Sequence, residues 1–120
     1  MSKKILVIDD DPGILGVIKA RLEACEFEVV TALDGDEGLR MIPQEKPKLI
    51  ITDVMMPNMD GYSLILEIKR LEEAKDVPVI VLTAKEMMED LFKLEGVVDY
   101  IVKPFESGKL VAAVKKHFPE

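Results

Sequence analysis

The stretch Lys4-Ile5-Leu6-Val7-Ile8-Asp9-Asp10-Asp11 runs four apolar residues straight into three carboxylates. An apolar run without polar alternation leaves no side for water, so it reads as a strand covered on both faces. Asp11 before Pro12 then opens a helix, because a short acid caps free amides and proline suits the first helical position. Ile14, Leu15, Ile18, Leu22 and Cys25 recur along one face of that helix.

The same alternation continues through the chain. A strand is expected at residues 27–31, then a short helix at about 36–42 that ends at Pro43. Leu49-Ile50-Ile51-Thr52-Asp53 is a second buried run closed by an acid. A helix at roughly 62–73 turns Leu64, Ile65, Ile68 and Leu71 inward. A strand at 77–83, a helix at about 86–94 and a fifth strand at about 100–103 follow. The last helix sets Leu110, Val111, Val114 and Phe118 on one side. Five strands alternating with five helices imply an α/β fold with an open, doubly wound parallel sheet, since parallel neighbours need crossover connections. In such sheets the site lies beyond the carboxyl ends of the strands.

Composition limits the rest. With 120 residues, 48% hydrophobic and 32% charged, the chain is expected to form one domain over 1–120. Acids outnumber bases 23 to 16, and the net charge of −7 repels nucleic acid and anionic lipid. Proteins or cations are the expected partners. No apolar run approaches the roughly 18 residues that span a bilayer, and the first residues lack the apolar region and cleavage site of a signal peptide. The expected location is the cytoplasm. Cys25 is the single cysteine, so no intramolecular disulfide can form, and its helical position suits a small core residue. His117, the single histidine, is expected as an exposed side chain favoured by the helix dipole.

The expected strand ends carry Asp9 and Asp10, Asp53, Thr83 and Lys103. Singly, each has an ordinary explanation as a cap, a turn acid or a surface charge; together they converge on one rim of one sheet. Two carboxylates about 4 Å apart repel by roughly 4 kcal/mol at an effective dielectric near 20, so three of them hold a proton or recruit a cation. Oxygen donors without histidine or thiolate suit Mg²⁺, with Mn²⁺ as a substitute. A divalent ion beside a carboxylate, a lysine and a hydroxyl also suits a phosphoryl group in transfer.

Four segments carry a family resemblance: residues 4–11, Asp53-Val54-Met55-Met56-Pro57-Asn58-Met59-Asp60-Gly61, Val79-Ile80-Val81-Leu82-Thr83-Ala84, and Tyr100-Ile101-Val102-Lys103-Pro104-Phe105. In this order and near-family spacing they resemble the receiver domain of two-component response regulators. The resemblance implies a flavodoxin-like sheet of order 2-1-3-4-5. It makes Asp53 the phosphoacceptor, taking its phosphoryl group from a sensor histidine kinase or phosphotransfer protein. Asp9, Asp10, Asp53 and the backbone carbonyl of Met55 would hold the metal. Thr83, the Ala84 amide and Lys103 would bind phosphoryl oxygens, and Lys103-Pro104 would be a cis peptide. Thr83 and Tyr100 would act as the switch, changing the surface made by the helix before strand five, strand five and the last helix. That surface addresses a downstream protein or an output domain.

Two departures from the family pattern shape further expectations. Thr83 and Lys103 are 20 positions apart, about two fewer than in the family, which shortens or re-registers the helix within residues 87–98. Met55 and Lys85 occupy the positions that tune hydrolysis, and a thioether orients an attacking water poorly, so slow dephosphorylation is expected.

Two other readings compete. A phosphohydrolase with its nucleophile at Asp9 would use Asp9-Asp10-Asp11 as Asp-x-Asp, but Gly13 stands where that family has Thr or Val. A phosphate-independent binding module would lack an acid, the threonine or the lysine, and none is missing. A flavin site is weaker still, because three acids at the first strand end repel a phosphate that brings no metal.

Overall fold

The computed structural model describes residues 3–53, 61–83 and 96–119. Five strands, β1 (Lys4–Ile8), β2 (Glu28–Ala32), β3 (Leu49–Asp53), β4 (Val79–Thr83) and β5 (Val97–Val102), form one parallel sheet in the order β2-β1-β3-β4-β5. Four helices lie among the described residues: α1 (Pro12–Ala24), α2 (Gly35–Glu45), α3 (Gly61–Arg70) and α4 (Ser107–His117). The helix expected at 86–94 falls outside them.

Strand periodicity divides the core in two. Ile5, Val7, Leu49, Ile51, Ile80 and Leu82 meet Leu15, Ile18 and Leu22 of α1 and Leu110 and Val114 of α4. Leu6, Ile8, Ile50, Val79 and Val81 meet Ile42 of α2 and Leu64, Ile65 and Ile68 of α3. Successive residues point to opposite faces, so a strand covered on both sides is apolar at every position. Cys25, expected as a core residue on the helix face, is instead the C-cap that follows α1, half-buried at the margin of the α1-side core. Gly38 lets α2 approach β1, since a Cβ there would collide with Ile8.

Local chemistry sets the helix ends. The Asp11 carboxylate accepts from the Gly13 amide at 2.8 Å and the Ile14 amide at 3.4 Å, the expected cap of α1. The expectation that α2 stops at Pro43 is corrected: it continues to Glu45. Proline in the last turn costs only the bond to the Leu39 carbonyl, and the turn is closed by Lys46 in the left-handed region (φ 50°), whose amide donates to Ile42. Helix α3 ends at Arg70, three residues short of the expected 73, and turns carry the chain through Ala74, which is buried.

Strand β5 also begins earlier than expected, at Val97, and contains an irregularity: Val79 pairs with Val97, but Ile80 pairs with Asp99. Val98 is therefore an extra residue, a bulge that hid the start of the strand from a simple alternation pattern. His117 corrects a further expectation. It is mostly buried, with Nε2 3.1 Å from Oδ2 of Asp99.

Candidate phosphoacceptor and metal site

Because all strands are parallel, their carboxyl ends share one rim. Asp9 follows β1, Asp53 closes β3, Thr83 closes β4 and Lys103 follows β5. Asp53 pairs with Leu82 and Thr83 with Val102, which sets the Thr83 backbone one step beyond Asp53 along the rim. Met55 and Ala84 lie outside the described residues.

Side-chain geometry turns that rim into a site. One oxygen from each of Asp9, Asp10 and Asp53 lies within 4.8 Å of the others. Asp9 is fully buried, Asp53 nearly so, and Asp10 is exposed. The Lys103 ammonium donates to Oδ2 of Asp9 at 2.7 Å and to Oδ2 of Asp53 at 3.1 Å. The Lys103-Pro104 peptide is cis, as the resemblance implied. Oδ1 of Asp9 accepts from the Asp11 amide at 2.9 Å, and the Asp9 amide donates to the Ala32 carbonyl.

Thr52, which the sequence reading did not single out, is buried and donates its hydroxyl to the Asp53 carbonyl at 2.9 Å. That bond ties down the backbone carrying Asp53. A hydroxyl preceding a strand-end acid is the only signal that could have found it. Among the described residues, no buried side-chain nitrogen or oxygen lacks a partner.

Charge is what the arrangement leaves unbalanced. Three ionised carboxylates against one ammonium leave a charge of −2, matched by one divalent cation. The donors are oxygen only, as a hard ion requires. Their spacing is close to the span of about 4.2 Å between opposite ligands of an octahedral ion with bonds of about 2.1 Å. Burial pushes the Asp9 carboxyl above its ordinary value, and the Asp53 charge adds to this against the pull of Lys103 and the Asp11 amide. Burial opposes the charge on Lys103, yet its bonds to Asp9 and Asp53 more than offset it and hold its pKa above the ordinary lysine value.

The model of the response regulator receiver domain family matches residues 5–115. The chain belongs to that family. This receiver is 42% identical over 116 residues to a probable transcriptional regulator, ycf27, of Cyanophora paradoxa, covering 95% of the chain and 47% of the relative. It thus spans about half the length of such relatives. Chemotaxis protein CheY4 of Vibrio cholerae superimposes with a TM-score of 0.91 at 28% identity, covering 98% of this chain and 99% of that one. The receiver domain of sensor histidine kinase PA1611 from Pseudomonas aeruginosa superimposes with a TM-score of 0.85 at 30% identity, covering 98% of each chain. A magnesium ion is coordinated in its active site cleft.

Receiver domains are signalling switches rather than turnover enzymes; they interact with histidine kinases or phosphotransfer proteins, and accepting a phosphoryl group is their family function. In this receiver the acidic pocket suits both that chemistry and a divalent ion. Among the described residues no helix is long and apolar enough to cross a membrane.

Proposed function

We propose that Asp53 is the phosphoacceptor of this receiver, working with Mg²⁺ held by Asp9, Asp10, Asp53 and the Met55 carbonyl. The clustering of Asp9, Asp10 and Asp53, two of which the Lys103 ammonium bridges, carries the reading. A carboxylate oxygen of Asp53 attacks phosphorus while the phosphorus–nitrogen bond to the donor histidine breaks. The imidazole leaves with the electron pair and takes up a proton, and Asp53 becomes a mixed anhydride. When bound, the metal supplies positive charge opposite the phosphoryl oxygens, and Mn²⁺ can replace it. Lys103 pairs with one transferred oxygen, while the Thr83 hydroxyl and the Ala84 amide donate to others. The added charge of about −1.5 to −2 draws Thr83 and Lys103 inward, and Tyr100 responds at the output surface.

The unit is one receiver domain over residues 1–120, a reading supported by the match to 5–115. It acts in the cytoplasm, takes its phosphoryl group from a sensor histidine kinase or phosphotransfer protein, and addresses a downstream protein or output domain. It binds neither nucleic acid nor membrane itself, in keeping with its net charge of −7. Its phosphoryl group hydrolyses slowly.

Intact mass after incubation with acetyl phosphate and Mg²⁺, beside an EDTA control, tests the assignment. A metal-dependent gain of one phosphoryl group, absent from Asp53→Asn, is expected. A gain that survives Asp53→Asn but is lost in Asp9→Asn would move the nucleophile to the end of β1, as in a phosphohydrolase. No gain in a wild-type protein that binds Mg²⁺ and is given a phosphorylated histidine donor would leave a phosphate-independent module.

A further inference from the structure

The bulge at Val98 has a geometric effect at a distance from the acidic pocket. One extra residue reverses the side-chain alternation of everything after it. Val97 packs on the α2–α3 side of the sheet, whereas Ile101, four positions on, packs on the α1–α4 side. Asp99 shares the parity of Ile101 and meets α4, where its Oδ2 lies 3.1 Å from His117 Nε2. Oδ1 of the same carboxylate accepts from the Tyr100 amide at 2.8 Å.

One carboxylate thus links the backbone of a sheet-edge strand to the last turn of a helix. The helix end is itself anchored. The Phe118 amide donates to the Val114 carbonyl at 2.8 Å, and the Phe118 ring packs against Phe27 with centroids 5.1 Å apart. Among the described residues β5 has a strand neighbour on one side only, and an edge backbone is the least restrained part of a sheet. A carboxylate offers only lone pairs, so Nε2 carries the hydrogen whether the ring is neutral or charged. The link therefore persists across both charge states of the ring.

We propose that Asp99 and His117 form a clasp that fixes the backbone at Tyr100, so that phosphorylation at Asp53 moves the Tyr100 ring and not the strand. The proposal rests on the switch reading given above. Tyr100 is exposed and lines a groove of about 670 Å³ together with Asp99, Phe105, Lys109 and Lys116. With the backbone held, rotation of the ring changes the shape of that groove; with it free, a shift of the edge strand would absorb the movement. Asp99 and His117 are positioning residues, remote from the phosphoryl group.

The test uses the full chain labelled with ¹⁵N and at tyrosine rings, followed by NMR and amide exchange with and without Mg²⁺ and beryllofluoride as a phosphoryl mimic. In His117→Ala the Tyr100 amide should exchange about tenfold faster. Beryllofluoride affinity should stay within about twofold of wild type, and the Tyr100 ring shift on binding should fall to less than about half. His117→Gln keeps an N–H donor and should recover most of both effects. Asp99→Ala removes the clasp from its other end and should reproduce the alanine pattern if His117→Ala folds poorly. Wild-type exchange and ring response in both alanine variants would overturn the clasp, as would a loss that His117→Gln does not recover. If beryllofluoride with Mg²⁺ fails to bind the wild type, the phosphoacceptor reading fails instead, and exchange at the Tyr100 amide still decides the clasp.

Discussion

The Lys103 ammonium lies 2.7 Å from Oδ2 of Asp9, a carboxylate with no solvent exposure, although the two residues are 94 positions apart. The same ammonium reaches Asp53, so one cation screens two buried acids from each other. Lys103→Met leaves those acids unscreened. Removing one partner of a buried pair is more costly than the pair is worth, so the metal-free variant should lose roughly 2–4 kcal/mol. Saturating Mg²⁺ should restore much of that loss. Urea denaturation with and without Mg²⁺ reads both quantities, and equal stabilities of variant and wild type in EDTA would contradict the role given to Lys103.

The raised pKa of Asp9 makes stability depend on pH with a definite sign. Its folded value lies above the ordinary 3.8, so the folded chain holds this proton more tightly than the unfolded chain. The associated stability is fully present below the ordinary value and is lost as pH rises through the raised folded value. Lys103, also raised, contributes stability that is fully present below 10.5 and is lost as pH climbs through its own folded value. Denaturation in EDTA across the acid range should therefore show a component in wild type that is absent from Asp9→Asn. With Asp9 as a metal ligand, as proposed, protons compete with the metal for it. Apparent Mg²⁺ affinity should begin to fall on acidification at a higher pH than an ordinary carboxylate would require. Superimposable pH profiles of wild type and Asp9→Asn would remove Asp9 as the source.

Much of the sheet was legible because both of its faces are covered. Ile5 to Ile8 and Leu49 to Ile51 are apolar at every position, and the capping pair Asp11-Pro12 marks where β1 gives way to α1. Parallel topology then collects Asp9, Asp53, Thr83 and Lys103 on one rim. What escaped depends on contacts distant in sequence. Pro43 looks like a stop unless one knows that it falls in a last turn closed by Lys46. Val97 and Asp99 fall before the strand expected at about 100–103 until the pairing with Val79 and Ile80 reveals the bulge, and His117 looks exposed until that bulge brings Asp99 to it.

Gly96 shows the same dependence and gives a stability prediction. It has φ +90°, and a Cβ there would overlap the side chain of Lys69. Lys69 is held in place by donating to the Ala74 carbonyl at 3.2 Å and to the Val77 carbonyl. Gly96→Ala must therefore strain the backbone and displace a lysine that braces the approach to β4. A loss of about 1–3 kcal/mol is expected, with Mg²⁺ affinity unchanged because the acidic pocket is at the opposite end of the strands. A thermal melt beside a Mg²⁺ titration reads both, and an unaltered melting temperature would show that Lys69 gives way at no cost.

The lifetime of the phosphoryl group is the remaining quantity that residue identity bears on directly. Hydrolysis of the acyl phosphate proposed at Asp53 needs a water in line with its oxygen–phosphorus bond, and a side chain that hydrogen-bonds that water lowers the barrier by orienting it. Met55, two residues beyond Asp53, offers only a weakly accepting sulfur. Met55→Asn supplies both a donor and an acceptor, so phosphate release from the phosphorylated protein in excess Mg²⁺ should accelerate by about tenfold, equivalent to about 1.4 kcal/mol of barrier. The comparison is made after removal of the phosphoryl donor, so that phosphorylation rate does not enter. Rapid release from the wild type, unchanged in Met55→Asn, would mean that the water is oriented by some other group and that Met55 does not set the lifetime.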